Sequence, residues 1–322
     1  MLTEKLQIEF IQYLSRLFRE GDFSATYKYA FLNALADLCV ENKLENNIVI
    51  SVRALTEKMV ELYWEQSRPF SDQNHYLLQN SGRQSAIINR IIEKQSQGYR
   101  LGQFKLNANE FGRFISGLIP TIKNGPLWRL QILSEHLIKF LYTPADGHNS
   151  IRLNDGIQKC FQIYYDLIIS LTRDRWQQKI RSIPSNFDLL GKQGDLENFL
   201  FGTKRKSLKK VEELLQELQK GICFYCEKIM RDKVAVDHFI PWSRYPNDLG
   251  HNFVLAHDKC NSSKKDYLAN SSYLRKWDEY NLNLFRVDIE DSLASYFLCD
   301  ADRSLAISDW AYANNTAPLW NL

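Results

Sequence analysis

The chain has 322 residues, 44% of them apolar and 25% charged, with a formal net charge of +3. That length suggests about two domains, and the balance is that of an ordinary globular protein. The small net charge excludes a polycation, so any affinity for nucleic acid must come from local patches.

A membrane span, which needs a run of about 18 apolar residues, is not expected. MLTEKLQIEF lacks the basic region and apolar core of a secretory signal. Of the six cysteines, Cys39, Cys160 and Cys299 stand alone in apolar surroundings and read as buried thiols of a reducing cytoplasm. Cys223, Cys226 and Cys260 cluster late in the chain.

Residues 1–200 read as mostly helical. LQIEFIQYLSRLF places Leu6, Phe10, Tyr13, Leu14 and Leu17 at helical spacing, and ATYKYAFLNALADLCVE repeats the pattern. The same periodicity predicts helices over VRALTEKMVELYWEQ, RQSAIINRIIEKQ, PLWRLQILSEHLIKFLY and GIQKCFQIYYDLIISLTRDRWQQKI. Residues 124–126 and 143–149 carry turn signals. NIVISV, residues 47–52, reads as a short strand between two helices, a pattern that hints at a winged-helix-like fold. Residues 184–202 look like a connector.

The next helix, in TKRKSLKKVEELLQELQKG, aligns Val211, Leu214, Leu215 and Leu218, with Gly221 as its stop. Lys204, Arg205, Lys206, Lys209 and Lys210 crowd its start. They form either a solvated face or a phosphate-contacting edge. Positive charge opposes the helix dipole at an N-terminus, so a stability role explains it poorly.

Cys223 and Cys226 are separated by two residues, and His257 and Cys260 repeat that separation about thirty residues later. Two such knuckles suit one tetrahedral zinc, with ligands at roughly 2.0 to 2.3 Å. A module of about fifty residues buries too little to fold well alone. Structural zinc can supply on the order of 10 kcal/mol of apparent binding energy. His257 is either the fourth ligand or a residue facing the phosphodiester.

Between the knuckles, Asp237 and His238 follow the apolar VAV, and Pro241 ends the run. Asn252 opens NFVLAH, and Asn261, Lys264 and Asp266 follow the second knuckle in a helix. Phosphodiester hydrolysis needs an activated water, a cation on the developing charge and a stabilised leaving alkoxide. A histidine near neutral pKa can take the water's proton. Asp237 and Asn261 offer the hard oxygens that Mg2+ prefers. Asn252 is then free to orient the loop or the imidazole, and Lys264 to meet a backbone phosphate.

D-H-x-I-P, then N-x-V-L, then C-N-x-x-K-x-D resembles the motif of HNH endonucleases, of the ββα-metal nuclease superfamily. The three letters fall on His238, Asn252 and Asn261, over residues 221–268. The resemblance implies that His238 is the general base and that Asp237 and Asn261 bind the catalytic divalent metal. It implies that Asn252 supports the site and that the knuckles hold a structural zinc. It also implies cleavage leaving a 5′-phosphate and a 3′-hydroxyl. The third letter is Asn261 rather than His, a variant shared with the HNH domains of RNA-guided DNA nucleases. That variant favours Mg2+ or Mn2+ over a softer ion.

The expected architecture is a mainly α N-terminal domain plus a small α+β zinc-stabilised ββα-metal (HNH) nuclease module. Its expected boundaries are 1–200, 201–270 and 271–322, the last a helical and irregular extension with Trp277, Trp310 and Trp320. His251 is read as a surface loop residue, and His75, His136 and His148 as structural or solvated. Arg244 is read as a phosphate contact or a surface salt bridge, and Trp242 as a packing residue.

ATYKYAFLNALADL followed by VRALTEKMVEL resembles the N-terminal region of bacterial HNH proteins of restriction or phage defence. The expected role of 1–200 is therefore recognition or regulation. The expected partners are DNA and a protein of such a system, with a homodimer where both strands are cut and no membrane. The competing reading is a zinc-stabilised nucleic-acid-binding protein without catalysis.

Overall fold

The computed structural model describes residues 2–43, 48–71, 74–191, 195–202, 205–231 and 233–322, the side chains of 205–207 excepted. Two compact units emerge. The first comprises 1–99 and 107–202, and the second comprises 100–106 and 203–322. No described helix is long and apolar enough to cross a membrane.

The first unit is built on helices. α1 (Glu4–Glu20) starts where the Thr3 hydroxyl accepts from Leu6 N–H and buries Phe10, Leu14 and Leu17. α2 (Tyr27–Glu41) is buried from Lys28 to Val40, so it forms the centre of the unit. β1 (Val49–Ser51) leads into α3 (Val52–Trp64), which Ser51 Oγ caps by accepting from Ala54 N–H. α4 (Ala86–Ser96) follows and then, past α5 (Leu101–Leu106), which belongs to the second unit, α6 (Ala108–Asn124), capped by Asn107.

Residues 126–142, read from their periodicity as a helix, are one only over α7 (Pro126–Arg129). A hairpin of β2 (Ile132–Leu133) and β3 (His136–Leu137) replaces the rest, turning at left-handed Ser134 and Glu135. Buried Gln131 explains why the helix stops. Its Oε1 accepts from Leu141 and Tyr142 N–H and its Nε2 donates to Tyr142 O, which holds the returning chain extended. β4 (Tyr142–Ala145) and β5 (Ser150–Leu153) then join β1 in an antiparallel sheet ordered β1-β5-β4. β1 stands between α2 and α3, where NIVISV reads as a short strand. Asn47 itself lies outside the described residues.

α8 (Ile157–Ile163) and α9 (Tyr165–Arg181) break at Tyr164. The expected connector is packed: α10 (Phe187–Leu190) and α11 (Leu196–Phe201) bury Leu196 and Leu200, and Phe199 meets Phe70 edge-on at 4.8 Å. A buried ionic network ties α2 to α3. Lys58 Nζ lies 2.5 Å from Glu41 Oε1 and 2.8 Å from Glu61 Oε2. Nearby, Tyr165 donates to Asp37 at 2.7 Å. Burial pushes the Asp37 carboxyl up to about 7, against the opposing pull of Lys58.

In the second unit, α12 (Arg205–Leu218) buries Val211 and Leu215. β6 (Val234–His238) and β7 (Phe253–His257) form an antiparallel hairpin that pairs Asp237 with Val254 and His238 with Phe253. α13 (Asp258–Lys264) follows at once, giving β-β-α in direct succession. The remainder is α14 (Ser271–Trp277), a π-helical turn at Asp278–Leu284, α15 (Arg286–Leu293) and α16 (Ala301–Ala313).

This tail is bound into the second unit. Trp277 stacks on Phe239 at 4.9 Å and 10°, and its Nε1 donates to His251 O. Trp320 N–H donates to Leu268 O, and Asn270 N–H to Trp320 O. Gly102 of α5 lies against α15's end so closely that a Cβ would sit 1.7 Å from Ala294 O, a position only glycine can fill.

Candidate metal centre and active site

The hairpin's far end and the start of α13 meet the Cys223 turn. There, Cys223 N–H donates to Lys228 O and Glu227 N–H to Cys223 O, with Glu227 left-handed. These bonds fold Cys226 back toward Cys223. β7 delivers His257, and the first turn of α13 delivers Cys260. The ligand atoms of Cys223, Cys226, His257 and Cys260 all lie within 4.8 Å of one another.

Cys226 Sγ is 3.2 Å from His257 Nδ1, and His257 N–H reaches Cys223 Sγ at 3.4 Å. Burial alone would raise the Cys223 thiol. The N–H groups of Cys226, His257 and Tyr225 outweigh it and bring Cys223 down to about 7. Burial, aided by the Cys223 sulfur, pushes Cys260 up to about 12. Three sulfurs and an imidazole converging on one point fit a tetrahedral soft ion, and zinc satisfies that set. Of the two readings of His257, its ring occupies the ligand position.

At the other end of the hairpin, the pleat sends adjacent side chains to opposite faces, so Asp237 and His238 have different neighbours. The His238 ring packs against Phe253 at 4.9 Å and Trp242 at 5.3 Å. Its Nε2 lies 2.8 Å from Asp248 Oδ1. The His238 side chain keeps 17% exposure and Asp248 16%, so the pair sits at a surface rim. Asn252 acts as a clamp. Its Oδ1 accepts from Ile240 N–H at 2.8 Å, its Nδ2 donates to Ile240 O at 2.9 Å, and its carbonyl accepts from Phe239. The amide thereby extends the strand pairing one step beyond His238 and fixes the bend before Pro241.

Asp237 points into the module. Its Oδ2 accepts from Tyr225 at 2.5 Å, and Lys264 Nζ lies 3.0 Å from the same oxygen. Lys264 also donates to His238 O at 2.9 Å. Its side chain is 0% exposed. This corrects the expectation that Lys264 meets a backbone phosphate: the ammonium is sealed against a carboxylate and a carbonyl. Asn261 lies one turn earlier, on the same face of α13, and is half-buried.

Asp248 had no signal in the sequence. It stands in the irregular loop YPNDLGHN, and only the fold brings it to His238. His251 is a second correction. It is fully buried, its carbonyl receiving Trp277 and Asn281 and its Nε2 lying 3.8 Å from Glu290. Burial lowers its pKa. Arg244 donates to Asn315 Oδ1 at 3.1 Å. Lys209 and Lys210 are exposed on α12, Lys210 paired to Glu213 at 2.7 Å. Lys204 and the side chains of Arg205 and Lys206 lie outside the described residues. Cys39 and Cys160 are buried as expected, whereas Cys299 is partly accessible.

A β-β-α unit closed by a Cys3His cluster, with an imidazole at its rim, defines a small metal-site module. Residues 223–270 match the family model described as HNH endonuclease. Comparison with curated proteins and with solved structures gives no match.

Proposed function

We propose that the chain is a metal-dependent endonuclease that hydrolyses DNA phosphodiester bonds at the HNH module. The observation carrying this reading is the His238–Asp248 pair at 2.8 Å, at the rim of the family-matched span. With Asp248 accepting from Nε2–H, the lone pair of the imidazole is left on Nδ1, the tautomer following from the carboxylate. Nδ1 is then the general base that takes the proton of the attacking water. Asp248 is a positioning residue, and it also stabilises the imidazolium that forms. Asn252 holds the backbone beneath the imidazole, so the base keeps its place.

Asp237 and Asn261 would hold Mg2+ (or Mn2+), being hard oxygen donors with no thiol among them. When bound, that ion supplies charge neutralisation for the phosphate and the leaving alkoxide. Loading Asp237 requires Lys264 to release it, because ammonium and metal ion compete for one carboxylate. The Cys223, Cys226, His257 and Cys260 set would hold zinc as a structural tie. Cleavage leaves a 5′-phosphate and a 3′-hydroxyl. The role that fits the resemblance of the helical region is restriction or anti-phage defence in the cytoplasm, with a partner protein of such a system. One such site cuts one strand, so double-strand cleavage takes a homodimer.

The buried Lys264–Asp237 pair favours one competing reading, a zinc-stabilised nucleic-acid binder without catalysis. The two readings separate in a cleavage assay on supercoiled plasmid and mixed genomic DNA. The enzyme reading expects Mg2+- or Mn2+-dependent nicking, arrest by chelation, and ends that DNA ligase reseals directly. Binding without any metal-dependent strand scission would leave the binder.

A further inference from the structure

The inference concerns the helical unit and rests on the reading above only in taking DNA as the substrate. α6 buries Phe111, Phe114, Ile115, Leu118 and Ile122 on one side. The opposite side is exposed at Asn109, Arg113, Ser116, Pro120 and Asn124, spaced three or four apart so that they form one stripe. No large apolar side chain lies on it. A protein-binding face would be expected to carry aromatic or aliphatic anchors at its centre.

Cations border both edges of that stripe. On one edge, Arg53, from the first turn of α3, donates to Ser116 Oγ at 2.7 Å and to Gly112 O at 3.4 Å. On the other, the Arg90 guanidinium of α4 lies across Gly117, where a Cβ would approach it to 2.7 Å, and 5.7 Å over the Phe114 ring. Lys123 donates to Asn149 Oδ1 at 2.6 Å and so joins the helix to the β4–β5 turn. That turn is raised by three successive left-handed residues, Asp146, Gly147 and His148.

Three nearby carboxylates are already engaged. Glu110 receives Lys94 at 2.7 Å and Tyr99 at 2.6 Å, Glu57 faces Arg53 at 3.5 Å, and Asp146 accepts from Ser150 at 2.6 Å. Arg90, Arg113 and Lys123 form no ion pair among the described residues, and Arg113 only adds to the field on Glu110, which Lys94 and Tyr99 already bind. Three cations from α4 and α6 that meet at one surface without an ion-pair partner among the described residues favour a polyanion over acidic side chains of the chain itself.

We propose that α6, with Arg53, Arg90, Arg113, Lys123 and the β4–β5 turn, is a duplex-DNA-docking surface. A helix about 10–12 Å across fits the B-form major groove, about 12 Å wide. The stripe then faces base edges, while the bordering cations meet the phosphates of the two strands. The deep, narrow major groove of A-form RNA does not admit a helix, which excludes duplex RNA as the occupant. Through this surface the helical unit selects the DNA on which the HNH module acts.

The test uses the full chain carrying His238→Ala, so that binding is read without cleavage. Affinity for a 30-base-pair mixed-sequence DNA is measured by fluorescence anisotropy across a salt series. Adding Arg90→Ala with Arg113→Ala should weaken binding at least tenfold and make the log K against log salt slope shallower by about 2, one per lost phosphate contact. Arg90→Lys with Arg113→Lys should restore most of that slope, which a purely structural role would not do. An unchanged affinity and slope in the alanine pair, or tighter binding of the parent to an RNA duplex of the same length, overturns the proposal. Failure of the nuclease reading looks different: the unsubstituted chain does not cut DNA, yet the alanine pair still loses affinity.

Discussion

Lys264 Nζ is wholly buried, 3.0 Å from Asp237 Oδ2 and 2.9 Å from the His238 carbonyl. Removing one partner of such a pair leaves an uncompensated charge and costs about 3–5 kcal/mol. Lys264→Met should therefore lower the stability of the second unit by that amount without metal. Millimolar Mg2+ should recover part of the loss, more than it adds to the parent protein, because a metal ion then compensates Asp237. Thermal unfolding with and without Mg2+ decides this, and equal Mg2+ responses in the two proteins would remove Asp237 from the ligand set. Asp248 acts by holding the His238 ring through Nε2. Asp248→Asn should slow plasmid cleavage on the order of 10-fold, because an amide no longer fixes the tautomer that leaves the lone pair on Nδ1. An unchanged cleavage rate would remove Asp248 from the site. His238 and Asn252 were singled out only by the resemblance of their motif, and the clip was legible from its two x-x knuckles. Asp248 and the burial of Lys264 were not, because both depend on how an irregular loop and a short helix fold back on the hairpin.

At the scale of elements, β6, β7 and α13 are held at one end by Asn252 and at the other by the Cys3His cluster. The hairpin is only five residues long on each strand, too little to persist alone. Cys223→Ser should abolish stoichiometric zinc and the cooperative unfolding of the second unit, while the helical unit keeps its own transition. Calorimetry beside metal analysis reads both, and retained cooperative unfolding of both units with no zinc bound would contradict the clip. Helical periodicity identified α1, α3, α4, α8 and α9 through an apolar face, and α2 through a long apolar run that is buried on all sides. It failed over 126–142, where Gln131 and two left-handed residues redirect an apolar run into strands. It also passed over α6, whose core residues are separated by glycines and a proline.

At the scale of the whole molecule, the two units are each internally complete, yet neither follows chain order, since α5 belongs to the second unit. That insertion could not be read from sequence because its cue, Gly102, acquires meaning only against Ala294. The HNH match covers residues 223–270, and 271–322 lie in the same unit, where Trp277 and Trp320 seal the module. The function assigned to the molecule depends on one proton acceptor. The direct measurement is the single-turnover rate of plasmid nicking in Mg2+ for the parent and for His238→Ala, each shown to be folded and zinc-loaded. The account predicts a fall of roughly 10² to 10⁴ in the variant. Equal rates in the two proteins would contradict it.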